Sequence, residues 1–383
     1  MPADNPFVYG EVVPVWAFVD REAERDRLVA DLAACQKVFL ISPRRYGKSS
    51  LIRQALRTLD RRRVVTLELT VSSFSSYVAF LEGYARALVG LETRTGRVRT
   101  WLRDLFKGVT PELRIEAGPP GGKLALSFPG VRTARDAARL AEEVFALPAR
   151  LATRLGRPLV VALDEFQAIA AFDGGSVEQA LRAAVQQQRR VGYVFAGSEP
   201  SLMEQMIGPR RPFYKAGPVM RLQKIPADVF AEAVESRFNR SGVAPEAGLG
   251  AAIVDLAGNL PYDVQRLAHE TWDDATAAKR RRVSLDDLHA TLHRLLAEQE
   301  TIFEAMWERL TLVQRAVLRA VVLERGVEML SADTRARYRL GGPSSVQTAL
   351  SALVRLDLIA REEDGHYVVV DSLTREWVAR RTY

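Results

Sequence analysis

One lysine in this chain stands where chemistry can be asked of it. The stretch "SPRRYGKSS", Ser42 to Ser50, lies between the apolar run "KVFLI" and the helical run "SLIRQALRTL". A loop in that context can turn its backbone N–H groups and the positive end of the helix toward an anion. Lys48 is placed to reach the β- and γ-phosphates of a nucleotide, and the Ser49 hydroxyl to help hold Mg²⁺. Gly47 lets the backbone approach closely, with no Cβ in the way. Ser42, Pro43, Arg44, Arg45, Tyr46 and Ser50 complete the candidate cradle. Arginine is the default cation here, 47 against 7 lysines. Lysine at 48 therefore suits a slot that needs a slender ammonium rather than a planar fork. Ser42 stands where such loops open with glycine, and serine disfavours positive φ.

The second constellation is "PLVVALDEFQ", an apolar run ending in Asp164 and Glu165. Carboxylates at the carboxyl end of a parallel strand face the crevice where ligands bind. Asp164 suits the Mg²⁺ shell, and Glu165 suits polarising an attacking water, which points to hydrolysis rather than binding alone. Arg210 and Arg211 are candidates for an arginine finger, with solvated surface arginines as the competing reading. His289 and His293 are spaced i, i+4, but no glutamate stands between them and no third ligand is evident, so they read as exposed helix positions. Cys35 reads as a small buried thiol in a helix. Nothing forms a serine–histidine–aspartate arrangement.

These residues need a sheet to position them. Up to residue 225 short β-branched runs alternate with helical patterns, predicting a parallel α/β sheet with strands over Lys37–Ile41, Arg63–Leu69, Pro158–Leu163, Gly192–Gly197 and Pro218–Leu222. A helix with Asp20 as its cap precedes the first strand, and Ser176 with Gln179 suggests a capping box. "PELRIEAGPPGGKLALSF", Pro111 to Phe128, reads as an inserted hairpin. Residues 226–308 read as a helical subdomain without strands. Residues 309–383 read as three helices and a two-stranded wing about Asp364-Gly365, a winged helix. On its third helix Val346, Ala349, Leu350, Leu353 and Val354 form the inward stripe; Ser345, Gln347, Thr348, Ser351 and Arg355 face outward.

Taken in order, "FVDREAE", "SPRRYGKSSL", "LVVALDEFQ", "FAGSEPSLM" and "GNLPYDVQ" resemble the motifs of the archaeal-type STAND ATPases, relatives of the AAA+ proteins. The likeness runs from about Phe7 to Trp377. It implies a P-loop NTPase sheet, a helical lid and a C-terminal winged helix, laid out as in origin-recognition initiators. It also implies that Val19, Asp20 and Arg21 border the adenine, that Ser198 senses the γ-phosphate, and that Pro261 of "GNLP" belongs to a lid motif contacting nucleotide. Arg266 is the sensor-two candidate. Ser42 is the departure from the pattern.

The net charge of +7 favours anionic partners. The lone cysteine excludes an internal disulfide, and no signal segment or membrane-length apolar run is present, so a cytoplasmic protein is expected. The reading is an ATP- and Mg²⁺-dependent switch, binding ATP and ADP and coupling hydrolysis to the winged helix. The partner is double-stranded DNA or a protein, or the chain assembles with itself. The main alternative is a DNA-binding regulator in which nucleotide is structural and turnover negligible; a third is a hub that recruits proteins through the winged helix. One arginine and an acidic wing leave DNA and protein equally open as partners.

Overall fold

Apolar runs that lack polar alternation form strands buried on both faces. The computed structural model describes residues 5–11, 13–59, 63–91, 106, 111–116, 123–172, 175–362 and 364–381. They group into two units, a sheet unit (Arg21–Pro43 with Lys48–Gln223) and a helical unit (Met1–Asp20 and Arg44–Gly47 with Lys224–Tyr383).

In the sheet unit the order is α1 (Glu22–Ala33), β1 (Lys37–Ile41), α2 (Lys48–Thr58), β2 (Val65–Thr70), α3 (Tyr77–Gly90), β3 (Glu112–Glu116), β4 (Lys123–Ser127), α4 (Ala134–Arg154), β5 (Leu159–Asp164), α5 (Ser176–Gln187), β6 (Val191–Gly197), α6 (Pro200–Ile207) and β7 (Val219–Arg221). Five parallel strands lie in the order β2-β5-β6-β1-β7. Ile41 pairs with Gly197 and Leu163 with Phe195, so β1, β5 and β6 end together along one edge. Every residue of β5 and β6 is buried. Helices α3, α4 and α5 supply the core on one face; α1 and α2 pack together, and α1 lies against β1 and β6. Under the strand ends sit Phe39, Phe166, Phe195 and Phe213, with Phe166 and Phe195 centroids 4.6 Å apart and Phe39 and Phe195 5.0 Å apart. Each such ring, fully buried, contributes about 1.5–3 kcal/mol. Phe166 directly follows Glu165, so this packing also fixes the acidic strand end. The β3–β4 hairpin forms as expected, pairing Leu113 with Leu126; its "GPPGG" turn lies outside the described residues.

Three local expectations are corrected. Asp20 does not cap α1: Arg21 occupies that position at φ 110°, and its guanidinium binds Glu24 and the Gln223 carbonyl instead. Ser176 is the first residue of α5 rather than its cap, because Gly175 takes the cap position at φ 96°. Cys35 lies beyond α1 at φ 56°, half-buried, in the left-handed turn that ends the helix.

The helical unit contains α7 (Ala227–Arg240), β8 (Ala244–Pro245), α8 (Leu249–Leu256), α9 (Pro261–Ala277), β9 (Arg282–Val283), α10 (Leu285–Glu298), α11 (Glu300–Glu308), α12 (Leu312–Leu323), α13 (Ala332–Arg337), α14 (Pro343–Arg355), β10 (Ile359–Arg361), β11 (Tyr367–Val369) and α15 (Ser372–Arg380). The stretch expected to lack strands holds a two-residue parallel pair, β8 with β9. Capping boxes start α10 (Ser284 with Asp287) and α12 (Thr311 with Gln314). Phe7, from the amino-terminal segment, packs on Phe238 of α7 at 4.8 Å. α12, α13 and α14 with the antiparallel β10–β11 wing make the winged helix, and α15 follows it. On α14, Val346, Ala349, Leu350 and Leu353 are buried as expected, but Val354 is 41% exposed. At 100° per residue Val354 lies about 80° around the helix from Val346, off the buried stripe. Gln347, Thr348, Ser351 and Arg355 are exposed and Ser345 is half-buried. Among the described residues no helix is long and apolar enough to cross a membrane.

Candidate nucleotide site

At the carboxyl edge of the sheet the two constellations meet. Strand β1 delivers Ser42, whose N–H donates to the Gly197 carbonyl at 3.2 Å and whose hydroxyl donates to the Pro43 carbonyl at 3.2 Å. Ser42 is buried, and its φ is not positive; the positive-φ residues of the loop are Arg45 (69°) and Gly47 (87°). The missing glycine therefore imposes no backbone strain at position 42. At Gly47 an added Cβ would meet nothing within 4 Å. The space beside this glycine is open, as close approach of an anion requires.

α2 begins at Lys48, and its first two residues both face β5. The Lys48 ammonium donates to Asp164 Oδ1 and, at 3.2 Å, to Glu165 Oε1. The Ser49 hydroxyl donates to Asp164 Oδ2 at 2.7 Å. Lys48 and Asp164 are each 6% exposed, so this pair is screened little by water. Asp164 Oδ1 also accepts the Glu165 N–H at 2.9 Å, which holds Glu165 at φ 52°, ψ 42°. Just past β6, Ser198 Oγ donates to Glu165 Oε2 at 2.5 Å, and Gln167 Nε2 donates to the same oxygen at 2.6 Å. Burial alone would push the Glu165 carboxyl upward. The Lys48 charge and then the Ser198 and Gln167 donors outweigh it and bring it below the usual carboxylate range.

Lys48, Ser49, Asp164, Glu165 and Ser198 are thus brought together. The other site candidates have different surroundings. Arg44–Gly47 group with the helical unit. There Arg44 pairs with Asp357, and Tyr46 donates to Glu362 at 3.3 Å. Arg45 binds Asp371 at 2.9 Å, Asp263 at 3.4 Å and the Val370 carbonyl at 3.3 Å, and lies 5.4 Å over the Tyr262 ring. Asp263 is buried, and desolvation raises its carboxyl to about 6 despite Arg45. Val19, Asp20 and Pro261 also belong to the helical unit. Val19 packs on its core, and Pro261 is the first residue of α9. Arg21 is buried and committed to Glu24 and Gln223. Ser50 is buried in the first turn of α2.

Arg211 is held by Glu178 at 3.0 and 3.2 Å, whereas Arg210 is exposed at φ 65°. Arg266 is half-buried on α9. His289 and His293 are exposed, and His293 meets Arg380. No cluster of metal-ligating side chains is found among the described residues. No sequence signal assigned a role to Gln167, which shares the acidic strand end, nor to Asp263 and Asp371 around Arg45. A glutamine two residues past a carboxylate is a faint signal, and the acids lie more than two hundred residues from their arginine.

The carboxyl-edge geometry can be set beside known proteins. A family model described as "Probable winged helix domain" matches residues 301–380. Among curated proteins none matches the sequence. Among solved structures, the Walker-type ATPase PABY2304 of Pyrococcus abyssi is similar over 97% of this chain and 99% of that one, at 16% identity and a TM-score of 0.62. The Aeropyrum pernix ORC1 protein, in complex with DNA, is similar over 97% and 95%, at 16% identity and 0.54. The Aeropyrum pernix ORC2 protein, as ADPNP-ADP complexes, is similar over 99% and 98%, at 13% identity and 0.54. The fold is that of a P-loop ATPase with a C-terminal winged helix. Within this fold, the lysine at the start of α2 meets the acids at the end of β5.

Proposed function

We propose that this chain binds Mg·ATP at the carboxyl edge of its sheet, hydrolyses it, and passes the change to its winged helix. The observation that carries this reading is the convergence of Lys48, Ser49, Asp164 and Glu165 at the amino end of α2. The residues suit the ligands. Gly47 leaves open space for an anion, and the Ser49 and Asp164 oxygens are the hard donors that Mg²⁺ prefers. Bound Mg²⁺ would neutralise charge developing on the phosphates, held by Ser49 and by Asp164, usually through water. Lys48 is occupied by two carboxylates and would exchange them for phosphate oxygens. Glu165 Oε1, released from Lys48, is then free to accept a hydrogen bond from water and orient it. Ser198 serves here by holding Glu165.

Coupling is supported by the loop. Arg44–Gly47 group with the helical unit while the residues on either side belong to the sheet unit. The winged helix would act on double-stranded DNA or a protein. DNA is favoured by the ORC1 neighbour, solved in complex with DNA. A protein is favoured by the exposed face of α14, where Gln347, Thr348 and Ser351 accompany a single arginine.

Lys48→Ala tests the site. Mg²⁺-dependent ATP hydrolysis should fall by roughly 10²-fold or more, as expected when a fixed charge on the phosphates is removed. Unchanged turnover would rule out Lys48 as the phosphate ligand.

A further inference from the structure

Glu165 has two carboxylate oxygens, and the structure treats them differently. Oε2 accepts from both Ser198 Oγ (2.5 Å) and Gln167 Nε2 (2.6 Å), while among the described residues Oε1 accepts from Lys48 alone, at 3.2 Å. We propose that Gln167 is a positioning residue for hydrolysis: with Ser198 it pins Oε2 and so fixes Oε1 as the oxygen presented to water. Gln167 can act in this way only if Glu165 is the group that orients water, as proposed above.

Gln167 is itself held. It sits in the short 3-10 turn Phe166–Ala171 that directly follows Glu165, and it is 5% exposed. Its Nε2 lies 3.3 Å from Ser198 Oγ and 3.4 Å from Glu199 Oε1 as well. A carboxamide turned the other way would set its carbonyl oxygen against the Glu165 carboxylate, so the amide orientation is determined by chemistry. The carbonyl oxygen points instead toward Gly197, where an added Cβ would come within 2.7 Å of it. Glycine at 197 therefore makes room for the carboxamide. That oxygen is buried and makes no hydrogen bond among the described residues. Leaving a buried acceptor unsatisfied is destabilising. The same end of the side chain places its N–H₂ group on Glu165. Glu165 adds strain of its own, a non-glycine residue in the left-handed region.

A carboxylate free to rotate about its last torsion would present either oxygen, or neither. Two donors on one oxygen remove that freedom before substrate arrives. Misplacing a reacting group by about 1 Å can cost on the order of 10²-fold in rate.

Gln167→Leu tests this, since it removes the donor and also the unsatisfied oxygen while keeping similar bulk. In the full chain kcat should fall roughly 10- to 100-fold, with KM and ATP affinity changed by less than about twofold. Combined with Glu165→Gln, it should cause no further loss, because its effect runs through Glu165. A crystal structure of Gln167→Leu should show the Glu165 carboxylate rotated away from Ser198. Wild-type kcat, an added loss on the Glu165→Gln background, or an unmoved carboxylate would each overturn the role. Should Gln167→Leu not fold, Gln167→Glu keeps the shape and puts an acceptor where the donor was. It should lower kcat at pH 8 in the same selective manner, and unaltered kcat would count equally against Gln167. If Glu165→Gln alone hydrolyses at the wild-type rate, the hydrolytic reading of Glu165 fails; the crystal structure still decides whether Gln167 sets its orientation.

Discussion

Two carboxylates, half-buried Glu165 in the sheet unit and buried Asp263 in the helical unit, sit beside a cation and respond in opposite directions. Glu165 is held below its ordinary range; Asp263 is raised to about 6. Both are desolvated, and desolvation is the largest influence on each. The difference lies in the depth of burial and in the neighbouring groups. Glu165 shares Lys48 with Asp164 but takes the Ser198 and Gln167 donors on Oε2, and its side chain is 25% exposed. Asp263 has Arg45 at 3.4 Å and the Ser372 N–H at 3.2 Å, and it shares Arg45 with Asp371, whose charge opposes its own. A cation shared with a second acid is therefore not enough to keep a buried acid ionised; deeper burial and the like charge of Asp371 raise Asp263. The sheet unit holds its acid as a ready carboxylate, and the helical unit holds one close to protonation.

The largest dependence of stability on pH is expected at Asp263. Its folded value, about 6, lies above the ordinary 3.8, so the folded protein binds the proton more tightly. The associated stability is fully present below about pH 4 and is lost as pH rises through about 6, by at most about 3 kcal/mol. Asp263→Asn should flatten that slope in unfolding midpoints measured between pH 4 and 7, and a slope identical to wild type would show that Asp263 is not raised. Arg45→Ala sharpens the same point with a smaller effect. With its cation gone Asp263 should hold its proton to higher pH, so the loss of stability should move upward in pH by an amount readable in the same titration. The smallest effect belongs to a third acid, Glu178, which burial raises and Arg211 lowers. The Arg211 side chain is 46% exposed, so Arg211→Ala should cost only about 1 kcal/mol at neutral pH, while Arg210→Ala should leave the melting temperature in place. Equal losses in the two variants would mean that the Glu178 contact carries no stability.

Much of this was legible in the sequence because the signals are local. The strand over Lys37–Ile41, the loop ending in Lys48 and the acids after "PLVVAL" each declare themselves within ten residues, and the chain places them on one edge. The third winged-helix element was readable from its period, apart from Val354 at the margin of the stripe. Local signals also misled. Asp20 and Ser176 have the composition of caps, but Arg21 and Gly175 adopt positive φ and take those positions. Long-range partnerships left no trace. Nothing near Arg45 announces Asp263 or Asp371, and the i, i+2 spacing of Glu165 and Gln167 becomes a contact only because the chain turns through φ 52° at Glu165.

Hydrolysis at this sheet edge is tested by ATP binding and turnover of Glu165→Gln in the presence of Mg²⁺. Glutamine keeps the shape and the oxygen facing Lys48 but cannot take up a proton from water. The variant should bind ATP as the unaltered chain does and hydrolyse it roughly 10²- to 10⁴-fold more slowly. Undiminished hydrolysis would contradict the account, because water would then be activated by some group other than the carboxylate that this sheet edge holds in place.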